Sequence, residues 1–243
     1  VSRASGRGVR AAPAIKRVLA RLSDAERAAA LGRFFKTGPG QYGEGDRFLG
    51  IKVPHLRAVA KEHCDAPYSC IAELLRSPLH EERLVALLVL VLKYSRGDES
   101  ERERAFSFYL KNTAYVNNWD LVDLSAGKIV GEHLAARDKS VLYELARSAD
   151  LWERRIAIIA TSAFIRRGRY SHTLRIADAL LADEHDLIHK AVGWMLREVG
   201  KMDRRVEEEF LKRRYKRMPR TMLRYAIERF PEHRRQGYLK GTV

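Results

Sequence analysis

Cysteine is almost missing from this chain of 243 residues: Cys64 and Cys70 are the only two, with five residues between them. One such pair, with no second pair to complete it, makes a poor zinc site and offers no disulfide framework. The two read as reduced core thiols of a cytosolic protein. Long apolar runs are missing too. Nothing approaches the ~18 residues of a membrane-spanning helix, so a membrane partner is not expected. Residues 1–13 are basic and rich in small side chains but lack the apolar segment of a secretory signal. They read as a flexible basic arm preceding a single domain over residues 14–243. Strict apolar/polar alternation is absent, which removes amphipathic strands. Negative charge is in short supply: 31 acidic residues face 46 lysines and arginines, a net charge of +15. That excess calls for a polyanionic partner, and nucleic acid is the commonest one.

What the chain has is helical periodicity, from about residue 14 onward. Apolar residues make up 46% of it, enough to build a core without staples. Residues 14–35 read as one or two helices. The segment Thr37-Gly-Pro-Gly-Gln-Tyr-Gly-Glu-Gly-Asp46 is the one Gly-dense stretch and reads as a turn-rich loop. It lacks the Gly-Lys-Ser/Thr ending of a phosphate-binding loop, and no strand precedes it, so nucleotide binding is not expected. Beyond it the sequence acquires a rhythm. Helix starts fall near Glu82, Trp119, Trp152, Ile188 and Thr221, each after a capping or breaking residue such as Pro78, Asn118, Asp150, Asp183 or Pro219. Intervals of roughly 33–37 residues match two-helix solenoid repeats. The fold expected is all-α, a right-handed solenoid of degenerate HEAT-like repeats whose concave face forms a basic groove. Residues 147–243 carry 23 basic and 13 acidic side chains, net +10, against +5 for the rest, so the groove's C-terminal end is the expected polyanion contact.

Three of these helix starts carry residues suited to chemistry. Trp119 and Asp123 stand four apart and share one helix face, while Asp120 is turned away and suits the helix dipole. By itself such a pair is commonly core plus surface. Arg154 and Arg155 open the next repeat, and Lys190, Trp194 and Arg197 share a face of the one after. Taken alone these are amphipathic helices with basic rims. Together, on helix starts that line up in a solenoid, they are expected to converge on one groove. His185 and His189 are also four apart, but no third ligand is evident and no metal is expected. The basic cluster Lys212-Arg-Arg-Tyr-Lys-Arg217 suits a DNA backbone or a solvated helix face equally well.

Four stretches occur together and in order: Phe48-Leu-Gly-Ile-Lys-Val-Pro-His-Leu-Arg57, Asn118-Trp-Asp-Leu-Val-Asp123, Trp152-Glu-Arg-Arg-Ile-Ala-Ile158 and Ile188-His-Lys-Ala-Val-Gly-Trp-Met-Leu-Arg-Glu198. With them the chain resembles the bacterial DNA alkylation repair proteins of the AlkD type, HEAT-like DNA glycosylases, over about residues 30–232. The resemblance implies an aromatic cleft holding two tryptophans and a functional carboxylate, which fall on Trp119, Trp194 and Asp123. It places a DNA-backbone arginine on Arg155 and an N-terminal aromatic on Phe34, where a tyrosine is closer to the family pattern. Where the family has aromatics just before the Lys-Ala-x-Gly-Trp stretch, this chain has Asp186 and Leu187, and its Gly-rich loop is longer.

The activity thereby implied is excision of N3- and N7-alkylated purines from double-stranded DNA, without a cofactor. Alkylation makes the base cationic and already a good leaving group, which agrees with the lack of an acid–base pair. A fixed carboxylate such as Asp123 stabilises the cationic sugar and places a water. Tryptophan faces attract cations by roughly 0.5–2 kcal/mol each. Lys190, Arg154, Arg155 and Arg197 are the expected phosphate contacts. Two alternatives stay open: a non-catalytic relative that holds damaged or branched DNA, and a protein-interaction scaffold. A cytoplasmic, nucleoid-associated monomer is expected, because the solenoid needs its concave face free.

Overall fold

The computed structural model describes residues 11–243. The expected basic arm lies, for its first ten residues, outside the described residues. Its last three belong to a helix, because Pro13 sits in a first turn where a missing N–H costs nothing. Among the described residues the fold is all-helical, about 70% helix with no strand. It divides into two compact units, residues 1–125 and 126–243.

The described part of the first unit runs through α1 (Ala11–Arg21), α2 (Ala25–Phe34), α3 (Val53–Glu62), α4 (Tyr68–Leu75), α5 (His80–Arg96), α6 (Glu99–Leu110) and α7 (Trp119–Ser125). Helix α5 is its centre, packed by α3, α4, α6 and α7. The run Leu84-Val-Ala-Leu-Leu-Val-Leu90 is apolar on every side, as a helix surrounded by others requires, and all of it is buried. The first turn of α5 is different: His80, Glu81, Glu82 and Arg83 are all buried as well. Buried charge needs partners, and the end of the Gly-rich loop with the residues just after it supplies most of those of Glu81 and Arg83, while Glu82 faces Lys16 of α1. Glu81 accepts from the backbone N–H of Leu49 and Gly50 (both 2.8 Å) and of Ile51 (3.2 Å). Arg83 donates to Asp46 (2.6 Å) and to the Ser77 carbonyl (3.0 Å). The loop is thus bolted onto the start of α5. Gly50 allows this: at φ +82° it lies where a Cβ would fall 2.1 Å from the Asp24 carbonyl oxygen.

The second unit contains a π-turn (Gly127–Gly131), α8 (Glu132–Leu134), α9 (Ser140–Leu145), α10 (Leu151–Ala160), α11 (Ser162–Ile165), α12 (Ser171–Ala179), α13 (Asp186–Met202), α14 (Arg204–Arg214), α15 (Arg220–Ala226) and α16 (Glu232–Lys240). Here α13 is the centre, packed by α10, α14 and α15. Residues 187, 188, 191, 192, 195, 196 and 199 form its apolar stripe at helical spacing. Gly193 lets α15 come close, since a Cβ there would lie 2.4 Å from the Met222 carbonyl oxygen and 2.5 Å from Tyr225 Cβ. Asp150 caps α10 by accepting from the N–H of Trp152 and Glu153, and Asp203 caps α14 through Arg205 and Val206. Cys70 is buried, but Cys64 is half-buried just past the C-terminus of α3, where Arg96 donates to its sulfur at 3.1 Å. Only one of the two cysteines is therefore a core thiol.

Candidate functional site

The first unit gathers an aromatic column around α7. Trp119, the first residue of that helix, lies half-exposed with its ring stacked on Phe35 (centroids 5.1 Å apart, planes 13° apart). Phe35 stacks in turn on Phe48 (5.0 Å, 25°), and Phe48 on the imidazole of His80 (4.6 Å, 25°). Phe34 completes the group edge-on to Trp119 at 6.1 Å, and it is 63% exposed where Phe35 is buried. An open phenylalanine beside a tryptophan offers flat apolar surface on which a base can stack.

Beneath the column is a charged cluster. His80 touches Asp120 of α7 through Nε2 (2.8 Å) and Asp46 of the loop through Nδ1 (3.2 Å). Asp46 also accepts from Arg83 and, at 2.9 Å, from the Nδ2 of fully buried Asn118. Burial works against a charge on His80, but the bonds to Asp120 and Asp46 outweigh it and push its pKa up to about 9. For Asp46, burial raises the pKa, yet His80, Arg83 and Asn118 together hold it below the usual carboxylate value. Asp120 therefore does more than complement the helix dipole: it bonds the Leu121 N–H with one oxygen and His80 with the other.

Of the residues singled out from sequence, the first unit holds Phe34, Trp119 and Asp123, and it brings the first two together. Asp123, half-buried one turn beyond Trp119, lies close enough to the buried Tyr109 phenol for its charge to add to what burial does in raising that pKa. The second unit holds the rest. Trp194 is half-buried and donates through Nε1 to Glu198 (3.0 Å), which also pairs with Lys201 (2.6 Å). Lys190 pairs with Asp186 (2.7 Å), Arg197 with Glu228, and Arg154 with Asp183 (2.7 Å) and the Ser148 and Ala149 carbonyls. Arg155 is 4% exposed and donates to the Leu187 carbonyl, tying α10 to the first turn of α13. His185 caps α13 by accepting from the Leu187 N–H, and His189 bonds the Asp183 carbonyl, so both rings serve the backbone.

The family model described as DNA alkylation repair enzyme matches residues 15–230. The chain belongs to that family. A solved structure titled as a predicted DNA alkylation repair enzyme from Enterococcus faecalis shares the fold of this family member. The two are 20% identical with a TM-score of 0.65, over 86% of this chain and 97% of the other. No curated protein matches. The matched region takes in the whole aromatic column and every residue singled out from the sequence. Sequence reasoning missed Phe35, Phe48, His80 and Asp46 in this member of the family. The signal for them was the run of four polar residues, His80 to Arg83, immediately before a wholly apolar helix. No helix among the described residues is long and apolar enough to cross a membrane.

Proposed function

We propose that this protein is a DNA glycosylase that removes N3- and N7-alkylated purines from duplex DNA. The observation that carries this reading is the pairing of a braced, half-exposed Trp119 and an exposed Phe34 with Asp123 one helical turn away. A purine alkylated at N3 or N7 carries a positive charge, and an indole face attracts a cation through its quadrupole. Trp194, in the second unit, is a half-buried ring of the same kind. When the glycosidic bond breaks, its electron pair passes to the purine and neutralises that charge, so no general acid is called for. The positive charge then lies on the sugar. Asp123 stabilises it and orients the water whose oxygen bonds to C1′ and whose proton leaves to solvent.

Lys190 and Arg197 are the cations best suited to the DNA backbone. The Lys190–Asp186 pair is exposed on both sides and worth only ~0–1 kcal/mol, so a phosphate exchanges for Asp186 at little cost; Arg197 is more buried and lies between Glu228 and Glu198. Arg154 and Arg155 complete this set of backbone contacts, with Arg155 also tied to α13 through the Leu187 carbonyl. No metal or cofactor enters this chemistry.

Single-turnover release of free base from duplex DNA containing N7-methylguanine tests the reading, with Asp123→Asn in parallel. Wild type releases base, and the variant loses at least 100-fold in rate while binding the same DNA. Equal rates in the two proteins refute the role given to Asp123. DNA binding without base release by wild type makes the protein a non-catalytic binder of damaged DNA.

A further inference from the structure

We propose that His80 is the positioning residue of the Trp119 site: joined to Asp46 and Asp120, it fixes the face that Trp119 presents. The inference rests on the reading of Trp119 as a DNA-contacting ring, but its geometry stands by itself. Trp119 is held at three points, and each leads to the same anchor. The residue before it, Asn118, accepts from the Trp119 N–H (2.8 Å) and donates to Asp46 (2.9 Å). The residue after it, Asp120, bonds His80. The ring itself lies on Phe35, which in turn packs on Phe48 and His80 (5.1 Å) as well as on Phe34. Helix α7 has seven residues, too few to be stable alone. Its orientation is therefore set by these tethers.

The chemistry of the anchor demands a charge. Each imidazole nitrogen faces a carboxylate, and a carboxylate only accepts hydrogen bonds. Both nitrogens must carry a proton, so His80 works as an imidazolium. In the neutral ring one nitrogen would turn a lone pair toward an anion, and one of the two tethers would be broken. The charged groups facing His80 are Asp46 from the loop, Asp120 from α7 and Arg83 from its own helix. Lys16 of α1 is held by Glu73 (2.8 Å) and lies 3.9 Å from Glu82, and Glu81 is taken up by the loop backbone. The device consequently releases as pH rises through about 9, where His80 gives up its proton.

The test needs no substrate. The emission of Trp119 is isolated as the difference between wild type and Trp119→Phe and is titrated from pH 6 to 10.5. Wild type shows a transition centred near pH 9. His80→Phe keeps a ring in the stack but has no donors, and it shows none. Asp120→Asn, a milder change that removes one anion, moves the midpoint down by at least one pH unit and carries the test if His80→Phe does not fold. A flat wild-type titration overturns the proposal, and so does an Asp120→Asn midpoint that stays in place.

Base release from N7-methylguanine DNA is followed in parallel. His80→Phe slows the single-turnover rate about tenfold at saturating protein, with less than a threefold change in DNA affinity. If Trp119 titrates as stated but wild type releases no base, the positioning device stands and the glycosylase reading falls. If base is released while Trp119 does not titrate, the reverse holds.

Discussion

Substituting Gly193→Ala separates close helix packing from helix propensity, because the two push in opposite directions. In a helix interior alanine is favoured over glycine by about 1 kcal/mol. At position 193 the added Cβ would meet the Met222 carbonyl oxygen at 2.4 Å, Tyr225 Cβ at 2.5 Å and the Ala226 nitrogen at 3.2 Å. Two of these are backbone atoms that no rotamer change can move. Ordinary contact starts near 3.4 Å, so α15 must back away from α13 by about 1 Å, and overpacking of this kind costs about 1–3 kcal/mol. The net expectation is destabilisation by about 0–2 kcal/mol, centred on a fall of roughly 0.5 M in urea midpoint at typical slopes. Gly32→Ala is the matched control. It lies inside α2, its nearest neighbour would be Thr37 Oγ1 at 3.4 Å, and it should stabilise the protein by about 0.5–1 kcal/mol and so raise the midpoint. Urea titration followed by circular dichroism reads both. A Gly193→Ala protein more stable than wild type by the full ~1 kcal/mol of helix propensity would refute the claim that this glycine is required by the approach of α15.

Glu207 is buried against Gly200, and burial pushes its pKa up to about 8, with Arg204 and Arg197 opposing and Glu208 reinforcing. A folded pKa above the ordinary 4.5 means that its contribution is complete below about 4.5 and is lost as pH rises through about 8. The stability of wild type, and with it the urea midpoint, should fall between pH 5 and 8, by up to ~1.4 kcal/mol per pH unit from this group. Glu207→Gln should flatten that slope, and an unchanged slope would assign it to other groups. DNA affinity should fall log-linearly with salt. Residues 212–227 hold seven lysines and arginines and no acid, with Lys212, Arg213 and Arg217 exposed. Replacing these three with glutamine should lower the slope by about 0.9 for each phosphate no longer neutralised, and an unaltered slope would leave them as a solvated face.

Helix placement was largely legible in the sequence because its causes are local. Starts expected near Glu82, Trp119, Trp152, Ile188 and Thr221 lie at His80, Trp119, Leu151, Asp186 and Arg220. Prolines 54, 67, 78, 219 and 231 all fall at or just before the first turn of a helix. The anchor beneath Trp119 was not legible. Asp46, His80 and Asp120 are separated by 34 and 40 residues, and no periodicity connects them. In sequence, His80-Glu-Glu-Arg83 looks like the polar, solvated N-terminus of a helix. Burial reverses that reading, and burial comes from the Gly-rich loop folding onto it. Arg155 carries a contact the sequence did not show: it is buried and ties α10 to α13 through the Leu187 carbonyl.

That division bears on what a family match can establish. Of the motif residues, Gly50 and Gly193 permit close backbone approaches, and Arg155 ties one helix to the next. A relative that kept the fold and lost the chemistry would still need these three. Phe34, Trp119, Asp123 and Trp194 are different. Two of the aromatics present ring surface to solvent or nearly so, and none of the four is a glycine forced by packing. Phe34 in particular is 63% exposed and keeps only edge contacts to Trp119 and Phe35, so much of its apolar surface stays in water. A purely structural site gains nothing from that exposure. A surface on which a base is to be stacked does, and the base-release comparison of wild type with Asp123→Asn decides whether stacking is followed by chemistry.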